Sequence, residues 1–138
     1  MRRLALVLVL LASSAHSAAP NETTLAAAEA LLRYVAASDP LGDSESSVCI
    51  TVSGQEASSE FVQRLKGTNL KIVSCGGDMV ARVPIGEPQL ESDDNYQVPY
   101  GYFLDCGEGC IQGKHMIAHM HHGAKGWEVL RVQGSVSF

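Results

Sequence analysis

Positive charge is scarce in this chain. Its 138 residues hold 10 Lys and Arg against 15 Asp and Glu. Two of the ten, Arg2 and Arg3, sit at the very start, so residues 18–138 carry 8 basic and 15 acidic side chains, 8 − 15 = −7. That balance disfavours nucleic acid and anionic membrane as partners, because both are held through an excess of Lys and Arg. Catalytic signatures are also missing. No serine lies in a Gly-x-Ser-x-Gly elbow, and no glycine-rich phosphate loop occurs. No pair of carboxylates stands out from the loops. Past residue 12 no long apolar run occurs, so stable membrane insertion is not expected.

The one long apolar run is Leu4–Ala12. It follows the basic Met1-Arg2-Arg3 and precedes small residues, with Ala15 and Ser17 at the −3 and −1 positions of a cut after Ser17. This is the pattern of a secretory signal peptide over 1–17, too short to span a bilayer. The remainder, 18–138, is long enough for one domain. An exported chain, periplasmic or secreted, meets an oxidising environment, where four cysteines are more readily paired than free.

Leu25, Ala28, Leu32 and Val35, with Leu31 beside them, recur at helical spacing and predict an amphipathic helix over Leu25–Ala37, stopped by Asp39-Pro40. Asn21-Glu22-Thr23 is a glycosylation triplet by pattern, more simply a chance one. The polar Leu41–Ser47 reads as a loop. Val48–Val52 reads as a strand. Ser53 then offers an N-cap with Glu56 as its capping-box partner, Ser58 being the rival cap, for a short helix carrying Phe61, Val62 and Leu65 and ended near Gly67. Leu70–Cys75 and Met79–Val83 read as strands, the second ending at Pro84. Glu87–Asn95 is acidic and turn-rich and reads as an exposed loop, without the spacing of a calcium loop. Tyr96–Leu104 reads as a strand interrupted at Pro99 and Gly101.

The chain closes in a hairpin. If His122–Gly126 forms a five-residue loop, Met116 pairs with Val132, Ala118 with Leu130 and Met120 with Glu128. Met116, Ala118, Met120, Leu130, Val132, Val136 and Phe138 then face the core, and His115, His119 and His121 face outward. A loop one residue shorter would bury the histidines, at a cost of a few kcal/mol in unpartnered imidazoles, so the outward register is expected. The fold class is therefore α+β: an N-terminal helix on a mostly antiparallel curved sheet, a second short helix between the first two strands, and a C-terminal β-hairpin.

Two groups of side chains have chemistry. His119 and His121 lie about 6.5 Å apart along one strand face, close enough to share a Zn²⁺ or Cu²⁺. A third ligand is not nameable, and the simpler reading is a polar strand face that uses histidine. Among the cysteines, a Cys49–Cys75 bridge is the most economical of three possible pairings, closing a loop worth about 3–4 kcal/mol. Cys106 and Cys110 would then form a local bridge. They lack the two-residue spacing and helix start that make a dithiol reactive, so a structural role is expected.

Val48-Cys49-Ile50, the Ser59–Leu65 stretch, Ser74-Cys75 and Gly126-Trp127-Glu128-Val129 together resemble small exported bacterial proteins without an assigned activity. A helix followed by strands that end in a Gly-Trp hairpin is similar to cystatin-like rolls, in which a curved sheet wraps a helix. Neither resemblance transfers a functional residue. The alternating Leu130, Val132, Val136 and Phe138 also resemble the terminal strand of an outer-membrane barrel, but the strands such a barrel needs are absent from the pattern. Three functions are carried forward. The first is an exported non-enzymatic binding module, of inhibitor or immunity type, that recognises a protein through Trp127, His115 and Arg131, with the Glu87–Asp94 acids docking on a basic partner. The second is a periplasmic zinc- or copper-binding protein using His119 and His121. The third is a small hydrolase with its site in a roll pocket. Only the second needs a cofactor.

Overall fold

A computed structural model describes residues 19–38, 47–77, 80–105 and 111–137. The expected signal peptide, most of the Leu41–Ser47 loop, Asp78, Met79, the Cys106–Cys110 loop, the Val136 side chain and Phe138 lie outside the described residues.

Helix α1 (Glu22–Ser38) starts three residues earlier than its apolar pattern suggests. Asn21 is the reason: its Oδ1 accepts from the Thr24 amide at 2.9 Å, satisfying one of the donors a helix leaves unpaired at its start. The predicted stripe holds. Ala27, Ala28, Leu31, Leu32 and Val35 are buried, and the alanines let the helix lie close on the sheet. The strands follow as β1 (Ser47–Val52), β2 (Gln55–Glu56), β3 (Lys71–Ile72), β4 (Ala81–Ile85), β5 (Gln89–Ser92), β6 (Asn95–Asp105), β7 (Ile111–Gly123) and β8 (Gly126–Ser137), with the short α2 (Ser59–Gln63) between β2 and β3. They form one sheet in the order β2-β1-β4-β6-β7-β8; β3 adds to β1, and β5 adds to β6. β1 runs parallel to β3 and β4, and the other pairings are antiparallel. This is the α+β architecture the sequence predicts.

Alternation sorts the sheet into two faces. Ile50, Val52, Val83, Ile85, Val98, Tyr100, Ala118 and Met120 point to the face covered by α1 and make the core with it. Burying a side chain of this size contributes roughly 1.5–3 kcal/mol. The outer face carries Cys49, Thr51, Pro84, Phe103, Gly101, His115, His119 and His121. Cys49 is nonetheless fully buried, because its disulfide to Cys75, with Cα atoms 5.0 Å apart, lays a loop over it. Arg82 and Glu56 hold that loop through the Cys75 carbonyl and amide.

Four expectations are corrected. Ser53 does not cap α2. Ser53-Gly54 is instead the turn of the β1–β2 hairpin, with φ of 51° and 78° as a two-residue turn of this hand requires, and Ser58 caps α2 by accepting from the Phe61 amide at 3.1 Å. The acidic stretch is not a plain loop, since β5 pairs with β6 through the two-residue turn Asp93-Asp94. Strand β6 is not interrupted at Pro99 or Gly101. The Pro99 carbonyl accepts from the Gly86 amide at the break between β4 and β5, so its missing N–H faces a gap rather than a ladder. β4 likewise continues through Pro84 to Ile85.

The closing hairpin differs most. Its turn is Ala124-Lys125, with Gly123 opposite Gly126, and Gly126 at φ 96° provides the left-handed residue. Met120 therefore pairs with Val129, and a bulge at Leu130 resets the register, so that His119 faces Arg131, Ala118 faces Val132 and Met116 faces Gly134. Leu130, expected in the core, is 54% exposed, and Val129 packs on the core in its place; Val132 packs there as expected. The methionine side of β7 is as predicted, with Met120 and Ala118 buried and Met116 partly so. His119 is on the outer face as expected but is only 7% exposed, because side chains from β5 and β8 close over it.

Candidate functional site

The β5–β6 and β7–β8 turns come together at one end of the sheet. Aspartate tolerates the left-handed region better than most residues, which suits Asp93 and Asp94, with φ of 22° and 60°, to a turn without glycine. The His122 amide donates to the Asp94 carbonyl at 2.8 Å and joins the two turns. On the outer face, His121 Nδ1 lies 2.8 Å from Asn95 Oδ1. Its ring folds over Gly123, where a Cβ would stand 3.0 Å from Nε2. The two turns are thus tied together at one end of the sheet.

On the other face of that end three rings meet. The His122 imidazole is stacked on the Trp127 indole, with centroids 4.4 Å apart and planes 7° from parallel. Tyr96 approaches Trp127 edge-on at 5.0 Å and 63°. Leu90, across from Tyr96 in the ladder, is 69% exposed. Asp93 and Asp94 are exposed in the adjoining turn, and Glu128 is exposed on the opposite face, across from His121. The end therefore presents an aromatic and aliphatic centre beside the acidic Asp93-Asp94 turn, and its rings are held by one another before any partner arrives.

A polar row crosses the outer face beside it. Glu91 on β5, Gln97 on β6, His119 on β7 and Gln133 on β8 are linked, with His119 Nδ1 3.3 Å from Glu91 Oε2 and Nε2 3.3 Å from Gln133 Oε1. Hydrogen bonds from Gln97 and then from His119 hold the Glu91 carboxyl below its ordinary pKa. Turning the Gln133 amide lets it donate to a neutral ring or accept from a protonated one.

The predicted residues fall in different places. Trp127 is at the centre of the aromatic group. Arg131 is exposed opposite His119, and His115 is exposed further along the sheet, edge-on to Phe103 at 5.0 Å. His119 and His121 share a face, but both His119 nitrogens are already engaged by protein side chains, so a metal would have to displace Glu91 or Gln133. Among the described residues no group of three or more His, Cys, Asp or Glu is placed to hold a metal ion. Cys49 and Cys75 are bonded as expected, while Cys106 and Cys110 lie outside the described residues. Sequence reading missed Tyr96, His122 and Leu90, and took Glu91 as one of the docking acids rather than as the partner of His119. The signal was there in Gln89–Ser92 and Asn95–Val98, two short runs around Asp-Asp.

Among the described residues no helix is long and apolar enough to cross a membrane. No family model matches the chain, and neither a curated protein nor a solved structure matches it.

Proposed function

We propose that the chain is an exported, non-enzymatic binding module of inhibitor or immunity type, and that it docks on a basic protein partner through the joined turns of β5–β6 and β7–β8. The observation that carries this reading is the pre-assembled Tyr96–Trp127–His122 group beside the exposed Asp93-Asp94 turn. Tight protein contacts centre on Trp and Tyr anchors ringed by polar residues, and anchors already fixed lose little entropy on binding. The basic n-region and apolar run at the N-terminus support export, and the Cys49–Cys75 bond accords with an oxidising compartment.

Affinity capture from the exported fraction, run in parallel with wild type, Trp127→Ala and Asp93→Asn/Asp94→Asn, tests the reading. Asparagine keeps the left-handed turn while removing the charge. A partner retained by wild type is expected to be lost with Trp127→Ala and weakened, in a salt-dependent way, with the double asparagine variant. Equal retention by all three proteins rules this surface out.

A further inference from the structure

The ring stacked on Trp127 is also an acid–base group. His122 is exposed to solvent, and its imidazole is held in face contact with the indole, with centroids 4.4 Å apart. Histidine is the side chain that changes charge between about pH 5 and 8. The aromatic centre can therefore be neutral or cationic within that range. A cationic ring is attracted to an indole face, so protonation keeps the imidazole on Trp127 and the added charge stays at the centre of the surface.

The groups around the ring decide what that charge does. The β5–β6 turn, tied to the His122 amide through the Asp94 carbonyl, carries Asp93 and Asp94. The β7–β8 turn carries the exposed Lys125. Tyr96 of β6 reaches the group through Trp127. On β7, His121 faces the other way and meets Asn95, and Glu128 of β8 lies across from His121 on that other face. Helix α1, which covers this side of the sheet, has Glu22 paired with Arg64 and Glu29 with Arg33. Among the described residues His122 is itself in no ion pair. The joined turns thus carry two negative side chains and one positive, −2 + 1 = −1 with a neutral His122 and −1 + 1 = 0 with a protonated one.

We propose that the docking end is gated by pH: it holds a basic partner while His122 is neutral and releases it when His122 takes up a proton. Protonation removes the net negative charge of the joined turns and places a positive charge on a ring that the partner covers. Binding is full above the His122 titration and is lost as the pH falls through it. The gate rests on the protein-docking reading of the same surface.

Two measurements on the whole exported chain test the gate. The first needs no partner. Trp127 is the only tryptophan, and a protonated imidazole in contact with an indole quenches its emission. Emission should fall as wild type is acidified from about pH 8 to about pH 5, and should hold steady in His122→Phe, which keeps an aromatic ring on the strand and cannot take up a proton. A steady wild-type emission, or an equal fall in His122→Phe, overturns the proposal. The second uses the partner retained from the exported fraction by affinity capture. Its Kd should rise about threefold to tenfold between about pH 8 and about pH 5.5 with wild type, and by less than about twofold with His122→Phe, whatever that variant's affinity at the higher pH. Added salt should shrink the wild-type difference. Equal affinity at the two pH values, for a partner that Trp127→Ala loses, overturns the gate and leaves the docking reading standing. Capture of no partner that depends on Trp127 overturns the docking reading and the gate with it.

Discussion

The Glu91 carboxylate reaches His119 from 28 residues away in sequence, and a 3.3 Å contact between them bridges the short β5 to the middle of the sheet. Strand β5 has no buried residue of its own, so this contact and the Gln97 hydrogen bond to Glu91 are what tie its side chains down. His119→Ala removes the ring and leaves a void between β5 and β8. A loss of about 2 kcal/mol in urea unfolding is expected, with a smaller loss for the half-buried His121→Ala. Equal losses would mean that the polar row does not organise the outer face.

Acid should loosen the same contacts. Glu91 is lowered by Gln97 and then His119, and Glu22 is lowered by the hydrogen bonds from Arg64, two of 2.7 Å that join α1 to the end of α2. A carboxylate whose folded pKa lies below its unfolded one stabilises the fold above the unfolded value and loses that contribution as the pH falls through the folded value. Stability is therefore expected to fall below about pH 4.5 and to fall less steeply in Glu22→Gln, as read from thermal midpoints between about pH 7 and 2. A Glu22→Gln profile parallel to wild type would remove the Arg64 contact from the account.

Trp127, the only tryptophan, reports on the joined turns directly. His122→Ala takes the imidazole off the indole face and admits water. A red shift of the emission is expected, at a stability cost of about 1 kcal/mol or less. An unchanged emission maximum would show that the stack is not present in solution.

The Cys49–Cys75 bond restricts the unfolded chain over a separation of 26 residues. Cys49→Ala/Cys75→Ala is expected to lose about 3 kcal/mol or somewhat more, since Cys49 is also buried beneath the loop that the bond anchors. Denaturant unfolding of the double variant under non-reducing conditions measures this.

Much of this architecture is legible in the residues, for physical reasons that differ by element. The α1 stripe is readable because a long helix repeats its pattern several times. The inward methionines of β7 are readable because burying imidazoles without partners is costly. Cys49 and Cys75 are readable because the chain leaves β1, passes through α2 and returns beside β1, although β3 ends at Ile72 and Cys75 lies in the turn beyond it. The β5–β6 hairpin is hidden by composition: Glu-Ser-Asp-Asp looks solvated, and β5 is indeed exposed along its length. Ser53 is ambiguous because serine suits both a cap and a turn, and the following glycine decides. The partners of His119 come from residues 28 and 14 positions away, on strands whose register depends on a two-residue turn and a bulge, neither of which alternation reveals. The aromatic group was half visible, through Trp127 alone.

The displaced residue at Leu130 has a consequence for life in a crowded solution. β8 ends the strand order, so among the described residues its far side meets no strand. A flat twelve-residue border would offer a continuous ladder to any extended chain, including a copy of itself. The bulge at Leu130 and a second register shift opposite Lys114–Met116 interrupt that border, and Glu128 and Arg131 place a charge on each side of the first. Interruptions and charges of this kind are the devices by which a border strand discourages edge-to-edge pairing.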